Sequence, residues 1–201
     1  MSKHTIALRY RLQGLGWYDA LRALNVVEEH HVGFRKDGIT PSKMHQIETT
    51  NFLLGFKNTL MFPERTIICM LLHDTAEDTH FNLLKIRQEF GSDAESDVAE
   101  MTKEYEGIKK SPSEYFGNLT GPAATVCKGV DRIHNMQTMA GVFKLEKQME
   151  YTAETRDHFF AFLKRARREH PKQELIYEQI KFILKQQCML FESANKQGIA
   201  L

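Results

Sequence analysis

The stretch Leu71–Thr79 constrains the fold most, because it places one imidazole and three carboxylates directly behind an apolar run. The run is Ile67–Leu72, and the charged or ionisable side chains that follow are those of His73, Asp74, Glu77 and Asp78. A buried element rarely ends in so much charge without a cation to bind. If residues 63–78 form one helix, His73 and Glu77 share one face, with Asp74 and Asp78 beside them. The alternative is a solvated helix end, in which Asp78 or Thr79 caps the next helix.

The composition predicts one soluble domain. The chain has 201 residues, enough for a sizeable core, and its 27 basic and 26 acidic residues leave a formal net charge of +1. The near-zero net charge therefore gives no reason to expect nucleic acid or a membrane surface as a partner. No run approaches the roughly 18 apolar residues of a membrane helix, and the first 25 residues lack a signal-peptide core. The three cysteines lie far apart in apolar surroundings and predict reduced thiols in a cytoplasmic protein.

Helix formers are abundant and prolines are few, so we predict an all-α fold. Residues 2–12 give no clear secondary-structure prediction. Residues 33–41 are predicted to be a loop, and residues 104–121 a long loop or broken helix that is suited to substrate contacts. The predicted helices are residues 17–31, a helix capped by Ser42, a helix from Pro63, residues 82–90 closed by Gly91, residues 93–103, a helix from Pro122, and residues 152–169 and 173–193.

Two histidines and two carboxylates on three separate predicted helices form a candidate metal site. His45 lies in the first turn of one helix, and His73 and Asp74 follow the apolar run of the next. Asp131 lies one residue from the apolar line of the helix that begins at Pro122, where a carboxylate needs a cation or an arginine. Imidazole and carboxylate ligands suit Mn, Fe, Zn or Co and could leave positions open for water.

This order of ligands on a helical scaffold resembles the HD phosphohydrolase superfamily, and the flanking motifs resemble the RelA/SpoT-type hydrolase domain. Residues 35–45 read R-K-D-G-I-T-P-S-K-M-H and resemble its R-K-x-G-x-P-x-x-x-H segment. Residues 73–79 resemble its H-D-x-x-E-D-T, and residues 128–136, K-G-V-D-R-I-H-N-M, resemble its K-L-A-D-R-L-H-N-M. Phe90-Gly91 and Met101–Lys103 resemble its F-G and V-T-K signposts.

The resemblance runs from about residue 31 to residue 154 and implies the fold and its extent. It implies an HD-domain helical bundle in its small, stand-alone hydrolase form. The domain is predicted over residues 17–201, after a leader of residues 1–16, with the C-terminal helices at residues 152–195.

The resemblance also implies the reaction, which is hydrolysis of guanosine tetra- or pentaphosphate at the ribose 3′ position with release of pyrophosphate. It implies that Mn²⁺ is bound by His45, His73, Asp74 and Asp131. It implies proton transfer and positioning of water by Glu77 and Asp78. It implies that Arg35 stacks on the base, Lys36 supplies positive charge for phosphate and Asn135 contacts the substrate.

Departures from the family pattern keep other functions open. Ser42 stands where the family usually has tyrosine, and Gly129 stands where leucine is usual. One alternative is an HD phosphohydrolase for a deoxynucleoside triphosphate, a nucleoside 5′-monophosphate or NADPH. The other is a non-catalytic nucleotide-binding module, against which the complete set of ligands argues. His31 matches a family histidine near the site but is not predicted to bind the metal, and His134 is predicted to be a second-layer or core histidine.

The last helix carries an apolar face that could close the core or pair with another subunit, and core packing is the commoner outcome. The face consists of Leu175, Ile176, Ile180, Ile183, Leu184 and Leu190.

Overall fold

The computed structural model describes residues 2–105 and 107–201, without the side chains of Lys109, Pro112 and Ser113. Over these residues the all-α prediction is confirmed. The helices are α1 (Lys3–Gly14), α2 (Tyr18–His30), α3 (Met44–Leu54), α4 (Pro63–Leu72), α5 (Thr75–Asp78), α6 (Leu83–Met101), α7 (Pro112–Asn118), α8 (Pro122–Thr138), α9 (Leu145–Glu154), α10 (Phe160–Glu169) and α11 (Glu174–Lys196). Shorter segments are 3₁₀ turns at Lys57–Thr59 and Pro171–Gln173, a π-helical turn at Thr155–Phe159, and an antiparallel hairpin of β1 (Glu104–Tyr105) and β2 (Ile108–Lys109).

Helix α4 lies at the centre of the bundle because its side chains are apolar on almost every face. Every residue from Thr66 to Leu72 is buried, and α4 packs against α2, α3, α6 and α8. A helix that is apolar all round is stable only inside a core. Helix α8 packs against α4 and α11 in turn, so one core serves the bundle and the single-domain prediction is confirmed.

Residues 2–12, for which the sequence predicted no structure, belong to helix α1. Leu8 and Leu12 are fully buried, and α1 packs against α2 and α3. Ser2 caps the helix, because its Oγ accepts a hydrogen bond from the backbone N–H of Thr5 at 3.1 Å. The division into a leader of residues 1–16 and a domain of residues 17–201 stays a prediction.

The single helix considered for residues 63–78 is wrong, because α4 ends at Leu72 and α5 begins at Thr75. Nδ1 of His73 lies 2.8 Å from the carbonyl oxygen of Met70, so the imidazole donates a hydrogen bond to a backbone carbonyl in the last turn of α4. Asp74 has φ −97° and ψ −2° and precedes the single turn of α5. The chain therefore changes direction at the His73-Asp74 pair. His73 and Glu77 do not lie on one face of a continuous helix, and neither do Asp74 and Asp78.

Two predicted caps are also wrong. Ser42 does not cap α3, because its Oγ donates to the carbonyl oxygen of His31 at 3.0 Å. Neither Asp78 nor Thr79 caps α6, because Asn82 does so by accepting from the backbone N–H of Lys85 at 3.1 Å. Ser42 thus bonds to a residue 11 positions earlier, and Oγ1 of Thr79 donates to the carbonyl oxygen of Thr75, one turn before it, at 2.8 Å.

Gly91 separates two helical segments as predicted, with φ of +87° inside α6. Residues 104–121 were predicted as a long loop or broken helix, and their described part contains the strands β1 and β2 and then α7. The predicted helix at residues 152–169 begins earlier, at Leu145, and is interrupted by the π-helical turn. The three cysteines are free and buried, as predicted.

The apolar face of α11 is divided between the core and the surface. Ile176, Ile180 and Leu184 are fully buried, whereas Leu175 and Leu190 are 60% and 58% exposed. Pairing with another subunit stays a prediction. Within the described part of the chain, no helix combines the length and the apolar character needed to cross a membrane.

Candidate metal centre and its cavity

The four predicted metal ligands come from three segments and meet at one point. His45 lies in the first turn of α3, His73 and Asp74 lie between α4 and α5, and Asp131 lies in α8. The Nε2 atoms of His45 and His73 are 3.1 Å apart. Asp74 Oδ2 is 3.1 Å from Nε2 of His73, and Asp131 Oδ1 is 3.2 Å from Nε2 of His45. The ligand atoms of His45, His73 and Asp74 all lie within 4.8 Å of one another.

Hydrogen bonds on the far sides of the two imidazoles turn their Nε2 atoms toward this point. The carbonyl oxygen of Met70 can only accept, so Nδ1 of His73 carries a hydrogen and Nε2 is the nitrogen that is left to bind a metal. Nδ1 of His45 lies 2.9 Å from Nδ1 of His134. Two ring nitrogens and two carboxylate oxygens thus face one another. This donor set fits a divalent transition metal.

The electrostatic potential at the cluster favours a cation. Burial lowers the pKa of His73, but the charges of Asp74 and Asp131 outweigh burial and raise this pKa to about 9. Burial raises the pKa of Asp74, but His73 and His45 bring it down to about 2. A cluster that draws a proton onto a fully buried imidazole stabilises positive charge at that point.

Asp131 is oriented by neighbours on its own helix. Its Oδ2 accepts from Nζ of Lys128 at 2.8 Å, and its Oδ1 accepts from Nδ2 of Asn135. Burial raises the pKa of Asp131, but Lys128 and His45 hold it well below its usual range. The carboxylate is therefore ionised and presents Oδ1 to the two histidines.

A cavity of about 520 Å³ lies beside the cluster and is lined by all three predicted substrate-binding residues, Arg35, Lys36 and Asn135. Nη2 of Arg35 donates to Oγ1 of Thr138 at 3.1 Å and to Oδ1 of Asn135 at 3.4 Å. Nζ of Lys36 lies 4.9 Å from the centre of the Phe143 ring. The cavity also reaches Asp74, so it joins two cationic side chains to the candidate metal site.

The loop that carries Arg35 and Lys36 is closed by its own hydrogen bonds. Asp37 Oδ1 accepts from the backbone N–H groups of Ile39 and Thr40, both at 2.9 Å. The N–H of Arg35 donates to the carbonyl oxygen of Thr40 at 2.8 Å, and Gly38 supplies a φ of +71°. The loop prediction is confirmed, and the loop presents its two cations from a defined backbone.

The two predicted proton-transfer residues differ in position. Asp78 lines the 520 Å³ cavity, and both Glu77 and Asp78 line a second cavity of about 540 Å³ next to the hairpin. Oε1 of Glu77 accepts from the backbone N–H groups of Lys103 and Glu104. Loss of hydration raises the pKa of both carboxyl groups, and for Asp78 the charge of Asp74 adds to this and the pKa reaches about 6.

The sequence did not predict one wall of the 520 Å³ cavity. Five lining residues come from the segment after α8 and from α9, and they are Met139, Val142, Phe143, Lys147 and Tyr151. Lys147 and Tyr151 are four residues apart and lie on one face of α9, which is the signal that could have shown them. Of residues 104–121, Glu104, Tyr105 and Gly107 line the second cavity, and contact of this segment with the substrate stays a prediction.

His31 is close to the candidate centre without being part of the ligand cluster. Its Nε2 lies 3.3 Å from Oγ1 of Thr75, and the residue is only 5% exposed. Burial lowers its pKa to about 4 against the opposing charge of Asp74, and His73 and His45 act in the same direction as burial. This neutral ring supports the segment next to Asp74.

Comparison with known proteins gives relatives at about 30% identity. The chain is 32% identical over 148 residues to a GTP pyrophosphokinase of Streptomyces coelicolor and 31% identical over 143 residues to a probable GTP pyrophosphokinase of Mycobacterium leprae, each match covering 67% of the chain. It is 28% identical over 189 residues, 88% of the chain, to a guanosine-3′,5′-bis(diphosphate) 3′-pyrophosphohydrolase of Spiroplasma citri. The chain spans 16%, 17% and 25% of the length of these three relatives. No family model matches the chain.

Proposed function

We propose that the chain belongs to the RelA/SpoT family and is a metal-dependent phosphohydrolase with the HD arrangement of ligands. The proposed reaction is hydrolysis of guanosine tetra- or pentaphosphate at the ribose 3′ position, which releases pyrophosphate. The observation that carries the proposal is that four candidate ligands from three segments meet beside a cavity with two cationic side chains. The Spiroplasma citri relative, a guanosine-3′,5′-bis(diphosphate) 3′-pyrophosphohydrolase, supports the same reaction.

The ligands in this proposal are His45, His73, Asp74 and Asp131, and the metal is Mn²⁺. These four residues would hold a divalent ion, which would lower the pKa of a water molecule and polarise a phosphoryl oxygen. Hydrogen bonds to Met70 and Lys128 orient His73 and Asp131, so the donor atoms of these two residues already point toward the proposed site. Mn²⁺ as the native metal and a cytoplasmic location remain predictions.

The substrate in this proposal occupies the 520 Å³ cavity. Arg35 stacks on the base, because its planar guanidinium is held at the cavity wall by Thr138 and Asn135. Lys36 attracts the phosphates, and Asn135 binds the sugar or phosphate beside Asp131. Lys147 adds a third cation to the lining of this cavity. A ligand with several phosphate groups on a base matches this combination of charge and flat surfaces.

Asp78 handles the proton in the proposed reaction, because it is the one of the two predicted carboxylates that lines the cavity next to Asp74. It accepts a proton from the attacking water and returns it to the leaving oxygen of the ribose. Glu77 has a supporting role, since the backbone of Lys103 and Glu104 fixes its carboxylate.

Product analysis on a nucleotide panel tests the proposal. The purified protein is incubated with Mn²⁺ and guanosine tetraphosphate, the deoxynucleoside triphosphates, nucleoside 5′-monophosphates, NADPH, or GTP with ATP, and the products are separated by chromatography. We expect GDP and pyrophosphate from guanosine tetraphosphate. Asp74→Asn should reduce turnover by more than about 100-fold, because loss of a ligand should exceed the effect typical of its supporting residues. The exposed Asp19→Asn is the matched control and should retain wild-type turnover.

The other members of the panel decide between the alternatives. Turnover of another nucleotide while guanosine tetraphosphate survives would contradict the substrate but keep the metal-dependent hydrolase. Transfer of pyrophosphate from ATP to GTP would contradict hydrolysis as the activity of this chain. No turnover of any member, with Mn²⁺ bound, would favour a nucleotide-binding module.

A further inference from the structure

One candidate ligand, His45, is held by a chain of side chains that the proposed mechanism does not use. Nδ1 of His45 lies 2.9 Å from Nδ1 of His134, and Nε2 of His134 lies 2.9 Å from Oε2 of Glu48. His45 and His134 are buried, at 2% and 9% exposed, whereas the Glu48 side chain is 41% exposed at the cavity. The three groups form a continuous path from the cavity wall to the ligand cluster.

The chemistry of these groups fixes where the hydrogens lie. An ionised carboxylate can only accept, so Nε2 of His134 carries the hydrogen that points to Glu48. The other nitrogen of a neutral His134, Nδ1, is then an acceptor. It receives the hydrogen from Nδ1 of His45, which leaves Nε2 of His45 with its lone pair facing His73 and Asp131. Glu48 thus determines, through His134, which nitrogen of His45 is free.

The opposite assignment would spoil the site. If His134 donated from Nδ1, Nδ1 of His45 would have to accept, and the hydrogen of a neutral His45 would sit on Nε2. That hydrogen would point at the place where the metal ligands meet, so His45 could not bind an ion. A buried acceptor at Nδ1 of His134 is therefore a requirement for His45 as a ligand.

We propose that His134 and Glu48 are positioning residues that orient His45 and hold it in the tautomer that binds metal. Neither touches the ion or the reacting atoms in this proposal. The negative charge of Glu48 acts through the hydrogen bonds of His134 and makes Nε2 of His45 a stronger electron-pair donor to the metal. His73 has a simpler support in the carbonyl oxygen of Met70, so the side chains at positions 134 and 48 are a specific feature of the His45 side of the site. The inference rests on the proposed metal site and is independent of the nucleotide.

Mn²⁺ titration calorimetry on a set of matched variants tests the proposal. His134→Phe keeps a ring but removes the acceptor, whereas His134→Asn retains an acceptor oxygen close to the position of Nδ1. Glu48→Met removes the carboxylate, and Glu48→Gln retains an acceptor for Nε2 of His134. The exposed Glu150→Met, on α9 and paired with Lys147, is the control. All proteins are first compared by circular dichroism in the presence of a chelator.

We expect His134→Phe to weaken Mn²⁺ binding by about 10–100-fold and Glu48→Met by about 10-fold. His134→Asn and Glu48→Gln should recover most of the affinity, and Glu150→Met should bind as the wild type does. With Co²⁺ as a spectroscopic substitute, the visible absorption spectrum should change in His134→Phe, because the geometry at His45 changes, and should be restored in His134→Asn.

Wild-type Mn²⁺ affinity and an unchanged Co²⁺ spectrum in His134→Phe and Glu48→Met would overturn the proposal. If His134→Phe does not fold, the comparison of Glu48→Met with Glu48→Gln decides, since Glu48 is partly exposed. Failure of the wild type to bind Mn²⁺ or Co²⁺ would overturn the inference together with the metal site. Binding without turnover of any nucleotide would refute the proposed reaction alone and leave this inference standing.

Discussion

Lys128 shows how one buried residue prepares the candidate centre. Its Nζ is 2.8 Å from Oδ2 of Asp131 and 5.2 Å from the centre of the Tyr115 ring. The two charged side chains are 16% and 7% exposed, so either one without the other would be a poorly hydrated charge. Because removal of one partner of a buried pair is far more costly than loss of a surface pair, Lys128 is important for stability as well as for alignment.

We predict that Lys128→Met lowers the free energy of unfolding of the metal-free protein by about 3–5 kcal/mol. Added Mn²⁺ should recover part of this loss, because the ion provides Asp131 with a positive partner. Urea denaturation in chelator and in Mn²⁺ measures both effects. The control is Lys147→Met, whose exposed pair with Glu150 should be worth less than about 1 kcal/mol. Equal losses in the two variants would contradict the prediction.

His31 makes stability depend on pH in a defined window. Its pKa is about 4 in the folded protein, mainly through burial, against an ordinary value of 6.5. Between pH 6.5 and 4 the unfolded chain therefore binds a proton that the folded His31 excludes, and stability falls as the pH falls. The loss should approach about 3 kcal/mol at pH 4. In His31→Asn this component should be absent from urea denaturation curves measured across the window in chelator, and a wild-type pH slope in this variant would refute the prediction.

At the scale of elements, Gly129 allows α11 to pack closely against α8, because it has no side chain at the contact. A Cβ at this position would lie 2.7 Å from Cδ1 and 3.0 Å from Cγ2 of Ile180. The family resemblance pairs this position with leucine, whereas here the side chain of Ile180 fills the space. The departure noted in the sequence is thus a complementary fit between two helices.

We predict that Gly129→Leu destabilises the protein by about 1–3 kcal/mol through overpacking. Ile180→Ala should cost about 2–5 kcal/mol through the cavity that it leaves. The double variant should lose less than the sum of the two, by at least about 0.5 kcal/mol, because the new leucine occupies the vacated space. Urea denaturation of the four proteins gives this coupling. Additive losses would show that Gly129 and Ile180 do not share the space.

At the scale of the whole molecule, the candidate centre joins segments that are far apart in sequence. His45 from α3, the His73-Asp74 pair after α4 and Asp131 from α8 have no contact in an unfolded chain. A metal that binds only the assembled site should therefore stabilise the folded state.

We predict that Mn²⁺ at about 100 times its dissociation constant adds about 2.7 kcal/mol of stability. For a domain of this size the corresponding rise in Tm is about 5–10 °C. Asp74→Asn and Asp131→Asn should lose most of the rise, and Asp19→Asn should retain it. The measurement is differential scanning calorimetry with and without Mn²⁺. The same rise in all four proteins would mean that the ion binds elsewhere.

Sequence reasoning reached the helical class and the side chains that cluster at the candidate centre because both depend largely on local composition. The apolar run before His73 had to be buried, and the carboxylate of Asp131 beside an apolar stripe needed a partner. It missed Lys147 and Tyr151 as lining residues of the cavity. A residue lines a cavity only if other, distant segments face it across the open space, and the sequence does not show which segments do so. Helix α1 was missed for a similar reason, since Leu8 and Leu12 are fully buried while the large apolar side chains of Ile6 and Tyr10 are exposed, so no apolar stripe stands out in the sequence.

The sequence by itself determined the all-α class, the approximate helix positions and which residues could share a site. These follow from side-chain periodicity and from the cost of burying unpaired charge, and neither depends on a distant partner. Only the tertiary structure decided where α4 ends, which nitrogen of each histidine faces the cluster, and that Glu48 and His134 support His45. These depend on hydrogen-bond partners that are distant in sequence, such as positions 45 and 134, and a linear pattern contains no information about which of them meet.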